Sequence, residues 1–174
     1  MKYLVKFFVI TASLFFITHS YADTKIAFID MDKILNESKA GKAATLELNE
    51  LNKKNLEILQ KTGKKLKEDE AKLIAKRNLM ETSEFEKQIK HLRENAKLYQ
   101  LDRKNKLDEI NNKYNLARSK ILDEIKPILE KFSKDNNINI VVQKKYIIIG
   151  STNLDITPHI LKLLDEKISS IKLN

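Results

Sequence analysis

The sequence predicts an α+β protein in which a long antiparallel helical hairpin is inserted into a small β-body. The first observation is a helix-forming stretch over about 41–134, where apolar residues recur at steps of three and four, as on one face of a helix. The second is a pair of apolar strand segments that flank this stretch, one over 25–30 and one from 138 onward. The midpoint between them falls at residue 84, so the insertion divides into two arms of nearly equal length.

Residues 1–22 have the pattern of a secretory signal peptide. A lysine-containing start precedes an apolar run over 7–17, and Ser20-Tyr21-Ala22 offers small residues at both positions that determine cleavage. The run is short for a bilayer span, although an uncleaved anchor is the alternative. No cysteine follows it, so it is not a lipoprotein signal. We therefore expect a mature chain that begins at Asp23 and acts beyond the inner membrane.

The composition argues against catalysis. The chain has no cysteine, which excludes disulfides, thiolate nucleophiles and cysteine-ligated metals. The two histidines outside the signal peptide, His91 and His159, stand alone without metal-ligand spacing. Glycine is scarce, and Ala40-Gly41-Lys42-Ala43 is not a phosphate-binding loop. The sequence predicts no enzyme activity and no catalytic, metal or cofactor site.

The helical stretch is predicted to fold back on itself at a tip over 79–83. Ser83-x-x-Glu86 has the spacing of a capping box, which would start a second helix there. An unbroken rod is the alternative. Gly63 is either a flexible joint or a tolerated glycine, and Pro127 should kink the returning helix.

The first part of the body is predicted to be a strand and a short helix. In the strand over 25–30, Ile26 and Phe28 point to one face and the intervening residues to the other, and both faces are apolar. A helix over 32–38 follows, and Gly41 then permits the chain to change direction into the long arm.

After the hairpin, the sequence predicts two strands and a last helix. The strands cover 138–143 and 146–150 and form a β-hairpin around Lys144-Lys145. Thr157 is the expected cap of the helix, with Pro158 at its first position. The apolar face of this helix is predicted to comprise Ile160, Leu161, Leu164, Ile168 and Ile171.

The predicted domains are the signal peptide at 1–22, the hairpin or tentacle at 41–134, and a body made of 23–40 and 135–174. A body of this size would bury too little apolar surface to form a stable core alone, and its apolar strands would leave their edges unpaired. Self-association that closes the sheet between subunits would remove both problems, although a monomeric helix-on-sheet body is the alternative. The residues expected at this interface are Ile26, Phe28, Ile138, Ile140, Val142 and Ile148.

The positive charge is concentrated on the outer part of the hairpin. The formal net charge of the chain is +9, and residues 53–106 contain sixteen basic and nine acidic side chains. Such a surface is either an ordinary solvated face or a capture surface for acidic chains or anionic lipid. The residues expected to form it are Lys61, Lys64, Lys65, Lys67, Lys72, Lys76, Arg77, Lys87 and Lys90.

The ordered set of motifs resembles the Skp/OmpH family of periplasmic chaperones over essentially the whole mature chain. The motifs are the signal peptide, 25–30, Gly41-Lys42-Ala43-Ala44, the basic hairpin, Ile140-Val141-Val142 and Asp155-Ile156-Thr157. The resemblance implies a homotrimer with a small β-barrel body and three helical tentacles around a cavity. It also implies a periplasmic protein that holds unfolded outer-membrane proteins without ATP.

Three functions are therefore compared. The first is a holding chaperone for unfolded outer-membrane proteins, with an anionic lipid or lipopolysaccharide surface as a further partner. The second is a structural or adaptor coiled coil of the cell envelope that binds one folded partner. The third is a nucleic-acid binder, which the charge permits but which the export signal and the lack of a base-stacking motif disfavour.

Overall fold

A computed structural model describes residues 24–173, so the predicted signal peptide lies outside the described residues. The chain order is β1 (Ile26–Ile29), α1 (Met31–Glu37), α2 (Lys39–Ala75), a 3₁₀ turn (Arg77–Leu79), α3 (Thr82–Asp135), β2 (Ile140–Gln143), two 3₁₀ turns (Lys144–Tyr146 and Thr152–Leu154) and α4 (Thr157–Lys167). Within the described residues, no helix combines the length and the apolar character needed to cross a membrane.

Helices α2 and α3 pack against each other as the predicted long hairpin. They contain 37 and 54 residues, which corresponds to about 55 Å and 80 Å of helix. Leu48 and Leu73 of α2 and Ala117 and Ile121 of α3, which belong to the predicted apolar repeats, are buried. In the first arm, however, Leu59 is buried in place of the expected Ile58, which is 40% exposed. Helix α3 continues through Pro127 to its end at Asp135.

The tip of the hairpin forms without the predicted capping box. Helix α3 begins at Thr82, its N-cap residue is Glu81, and no side chain makes a capping hydrogen bond there. Ser83 therefore lies inside the helix. At this turn, the Arg77 guanidinium lies over the Phe85 ring, 5.7 Å from its centre. A cation over an aromatic face is stabilising in this geometry.

The chain changes direction at Ser38 rather than at Gly41. Ser38 is buried, and its hydroxyl accepts a hydrogen bond from the Gly41 amide at 3.1 Å, which caps α2. Gly41 is required for a different reason. A methyl group at this position would lie 1.9 Å from the carbonyl oxygen of Leu35, so only glycine lets α1 and α2 approach this closely.

The sheet consists of β1 and β2 in parallel, with Ile26 opposite Ile140 and Phe28 opposite Val142. The hairpin is thus a crossover connection between two neighbouring strands. The prediction of a third strand is wrong: residues 147–150 form no strand in the described chain. A 3₁₀ turn at 144–146 replaces the expected β-turn, whose sequence lacks the residues that favour tight hairpins.

The end of α3 sets the start of β2. Asn137 has a positive φ of 55°, and the amides of Asn137 and Ile138 donate to the carbonyls of Lys134 and Ser133 at 3.3 Å and 2.8 Å. This pair of bonds is a Schellman motif, which satisfies the last carbonyls of the helix. It directs the chain toward Lys25, whose carbonyl accepts from the Asn139 amide at 2.9 Å.

The core of the body lies where β1, α1, α4 and the base of α3 meet. Its fully buried members include Ile29, Ile34, Ile125, Ile160 and Leu164. The predicted apolar face of the last helix is thus partly confirmed. Helix α4 ends at Lys167, however, and the extended backbone of Ile168 takes the chain out of the helix.

Thr157 does not cap α4. The N-cap position is Ile156, with no side-chain capping bond, and the helix begins at Thr157, so Pro158 lies at the second helical position and not at the predicted first. The Thr157 hydroxyl is buried and accepts from the Asp30 amide at 2.8 Å. The Ile156 amide donates to the Phe28 carbonyl at 3.0 Å. Residues 155–157 therefore lie along β1.

Candidate functional site

A groove of about 520 Å³ runs between α2 and α3 near the tip, and we call it the hairpin groove. Four of the nine predicted capture residues line it, namely Lys65, Lys72, Lys76 and Lys87. Asp69, Glu84, Gln88, His91 and Asn95 line it too, and Leu73 and Leu92 supply apolar surface. Four lysines facing two carboxylates give the groove a surplus of positive charge.

Helical spacing brings these side chains together. Along α2 and its C-cap residue Lys76, the side chains of Lys65, Asp69, Lys72 and Lys76 follow one another at steps of four, three and four, which places them on one face. The residues of α3 that face them, from Glu84 to Asn95, are spaced in the same way. Glu84, Gln88, His91 and Asn95 of α3 were not among the predicted capture residues, although their helical spacing is visible in the sequence.

The groove continues toward the body as a second depression of about 360 Å³. Lys65, Asp69 and Asn95 line both parts, so they form one surface. The second part adds the apolar side chains of Leu66 and Leu98 and the ring of Tyr99. The hairpin therefore presents lysines near its tip and apolar groups nearer its base, on the same face.

The other predicted capture residues lie outside this groove. Lys61, Lys67 and Lys90 are exposed. Lys64 is exposed as well and stands 3.9 Å from Glu68, one helical turn away. Arg77 lies at the tip of the hairpin, where its guanidinium packs over the Phe85 ring. The structure thus divides the predicted set into a group that shares a groove and a group that is dispersed.

Asn55 is a polar residue within the seam of the hairpin. It is 7% exposed, and its Nδ2 atom has no hydrogen-bond partner among the described residues. A buried amide without a partner costs about 1–3 kcal/mol relative to a satisfied one. The packing between the two arms is therefore weakened at Asn55, which occupies an otherwise apolar position of the helical repeat in α2.

An exposed apolar surface lies on the body. The register pair Ile26 and Ile140 is 45% and 48% exposed, and Ile148 is 99% exposed. Ile149 and Tyr146 are 91% and 72% exposed. Large exposed apolar patches mark association sites in soluble proteins.

The other residues expected at the interface are already covered by their own chain. Phe28 is 7% exposed, and a methyl group on Gly150 would lie 3.0 Å from its ring. Ile138 packs on the core, and Val142 is half-buried. Of the six residues expected at the interface, Ile26, Ile140 and Ile148 are thus the ones that the folded chain leaves exposed.

An ionic cluster closes the end of the sheet. The Lys144 ammonium lies 3.8 Å from Asp30 and 3.6 Å from Asp155, and Asp155 accepts from the Thr157 amide at 2.9 Å. Burial raises the pKa of Asp155, but the hydrogen bonds from Thr157 and the positive charge of Lys144 outweigh it, so the pKa lies below its ordinary value. The Asp155 carboxylate therefore links the first residue of α4 to Lys144, which follows β2, and Lys144 in turn lies beside Asp30 at the end of β1.

Among residues 24–173, no three histidine, aspartate or glutamate side chains come close enough to hold a metal ion. His91 lies in the hairpin groove, and His159 packs against Phe132 with ring centres 5.7 Å apart.

The hairpin groove combines lysine side chains with apolar surface, so it suits the binding of a chain that carries both acidic and apolar groups.

Comparisons with known proteins match this architecture. The profile of the family described as outer membrane protein (OmpH-like) matches residues 25–164. A solved structure of a candidate outer membrane chaperone, OmpH-like, from Caulobacter crescentus has the same fold. Its TM-score is 0.79 at 18% sequence identity, and the match covers 89% of this chain and 92% of that chain. No curated protein sequence matches significantly.

Proposed function

The chain belongs to the OmpH-like outer membrane protein family, and on this premise we propose that it is a periplasmic chaperone that holds unfolded outer-membrane proteins without ATP. The observation that carries the proposal is the hairpin groove, where Lys65, Lys72 and Lys76 line the part near the tip and Leu66 and Leu98 line its continuation toward the body. The Caulobacter protein that shares this fold is named as a candidate outer membrane chaperone, which is the same class of activity.

The groove suits an unfolded client for two physical reasons. Exposed lysines attract acidic segments over about 8–10 Å at physiological salt, so they raise the rate of encounter more than the lifetime of the complex. The apolar side chains then make many weak contacts along the client, and linked weak contacts add up through their high effective concentration. Neither step requires a nucleotide, and the sequence contains no phosphate-binding loop.

We further propose that the protein is a homotrimer, held by the exposed apolar surface around Ile26, Ile140 and Ile148. β2 has a single strand partner within the described residues, and the apolar run over 146–149 lies beside it in sequence without a strand partner. Association through these groups would pair the open edge and bury the run. Three hairpins would then surround one cavity, with their grooves available to a single client.

The test is an aggregation assay on a urea-unfolded outer-membrane barrel protein, diluted into nucleotide-free buffer. The mature protein, added at equimolar trimer, is expected to suppress the rise in light scattering. A soluble α-helical protein unfolded in the same way measures selectivity. Unchanged scattering with several barrel clients would contradict the proposal, and binding to one folded envelope protein alone would favour the adaptor hypothesis.

A further inference from the structure

Residues 168–173 leave α4 and run along the base of the hairpin, and we call this segment the strap. It contains no helix or strand, and Ile168 has an extended backbone with φ −137° and ψ 139°. The strap lies beyond residues 25–164, which the family profile matches. Its contacts with the hairpin therefore belong to a part of this chain that the family assignment does not describe.

The end of the strap is buried in a separate apolar cluster. Leu173 is 2% exposed and packs with Ala44 and Leu48 of α2 and Ala117 of α3. Ile171 packs against the same cluster, whereas Lys172 between them is exposed. The two alanines leave room for a leucine side chain between the helices. The strap thus inserts alternate apolar residues, as an extended chain does.

The backbone of the strap is bound by side chains of α3. The Lys113 ammonium donates to the Leu173 carbonyl at 2.7 Å, and the Lys120 ammonium donates to the Lys172 carbonyl. Two lysines two helical turns apart thus converge on neighbouring carbonyls. These bonds recognise a peptide backbone and not a particular side chain, so an extended segment of another sequence could form them.

We propose that the base of the hairpin is a binding site for an extended polypeptide with apolar side chains at every second position, which the strap occupies in the free chain. The site comprises Ala44, Leu48, Ala117, Lys113 and Lys120. Membrane-facing β-strands of outer-membrane proteins alternate in this way, so an unfolded client would compete with the strap. The identity of this natural ligand rests on the proposed function, whereas the site itself rests on the contacts of the strap.

The test uses a fluorescent peptide with the sequence of residues 167–173 and the full mature chain. Leu173→Asp is expected to release the strap because it buries an unpaired charge. The control, Ser170→Asp, adds the same charge to the same segment at an exposed position. We expect the peptide to bind Leu173→Asp at least tenfold more tightly than either Ser170→Asp or the wild type. A peptide with aspartate in place of its leucine should bind none of them.

A second variant is used if Leu173→Asp does not fold. If Leu173→Asp loses helicity by circular dichroism, Leu173→Ala removes the buried leucine side chain without adding a charge and leaves Lys113 and Lys120 in place to bind the peptide. An unlabelled peptide that alternates valine and threonine should displace the labelled one. Equal peptide binding by the released and control variants, or no displacement by the alternating peptide, would overturn the proposal.

The peptide assay contains no outer-membrane protein, and the aggregation assay above uses the wild type. Failure of the strap site therefore leaves the chaperone proposal standing. Conversely, peptide binding to the released variants together with unsuppressed aggregation would retain the site and reject the chaperone function. The two claims are thereby separated by experiment.

Discussion

Gly63 of α2 lies directly against the side chain of Tyr99 of α3: a methyl group at position 63 would stand 3.2 Å from the Tyr99 hydroxyl oxygen and 3.4 Å from its ring carbon Cζ. The glycine lies within a continuous helix. It accommodates a tyrosine of the opposite arm, which gives it a packing role that neither of the two interpretations from sequence included.

This contact predicts non-additive stabilities. Gly63→Ala should gain helix propensity of about 1 kcal/mol, but in the wild type part of this gain is offset because Tyr99 must move. Tyr99→Phe removes the hydroxyl oxygen, which is the closest atom, so in that background Gly63→Ala should show the full gain in unfolding free energy. Urea unfolding at one fixed protein concentration measures the cycle. An identical gain in both backgrounds would show that the contact has no energetic effect.

Ile148→Asp should prevent self-association while leaving the subunit folded. The side chain is 99% exposed in the single chain, so the charge is solvated there and would be buried only in the oligomer. Leu79→Asp at the tip, where the leucine is 85% exposed, is the matched control and should keep the wild-type mass. Multi-angle light scattering measures the mass. An unchanged mass for Ile148→Asp would remove this residue from the interface.

The lysines of the hairpin groove should contribute more to client capture than other exposed lysines. Lys65, Lys72, Lys76 and Lys87 changed together to glutamine should lower the association rate of an unfolded acidic client about tenfold at low salt and flatten its salt dependence. Lysine and glutamine have similar helix propensity, so the hairpin should remain intact.

The control for this change removes the same charge outside the groove, at Lys61, Lys64, Lys67 and Lys90. Stopped-flow fluorescence at two salt concentrations compares the two variants. Equal reductions in rate would mean that only the total charge of the arm matters and that the groove has no special role.

Asp155 should make the stability depend on pH in the acid range. Its folded pKa lies below the unfolded value of about 3.9, so the unfolded chain binds more protons there and stability rises with pH. The contribution is present above the unfolded pKa and is lost as the pH falls through the folded pKa. In thermal unfolding, the difference in Tm between wild type and Asp155→Asn should shrink from pH 5 to pH 3. Lys144→Gln should show a smaller difference of the same sign, and a constant difference would exclude this cause.

The features that could be predicted from the sequence are those that depend on residues close to one another in the chain. The helical period over 41–134 predicts the two long helices because each residue of the stripe is three or four positions from the next. The two faces of β1 were predicted in the same way. The grouping of Lys65, Lys72 and Lys76 on one face could also be obtained from spacing alone.

Features that depend on distant partners could not be predicted. The partner of Ile26 is Ile140, far along the chain, so nothing local indicates parallel pairing. The run over 146–150 has strand composition, but the fold gives it no strand partner within the described residues. Ile171 has helical spacing with Leu164, yet its segment leaves the helix to dock on α3. In each case, whether a distant segment pairs or packs with these residues decides their structure, and the local pattern does not.

Sedimentation velocity can show whether the protein holds an unfolded client in solution. The mature protein is mixed with an unfolded, fluorescently labelled outer-membrane barrel in nucleotide-free buffer. The chaperone proposal predicts that the labelled client sediments in one soluble species, with the mass of three chains plus one client. It also predicts that the protein alone sediments as the trimer. Client fluorescence found only in large aggregates, with the protein boundary unchanged by the client, would contradict it.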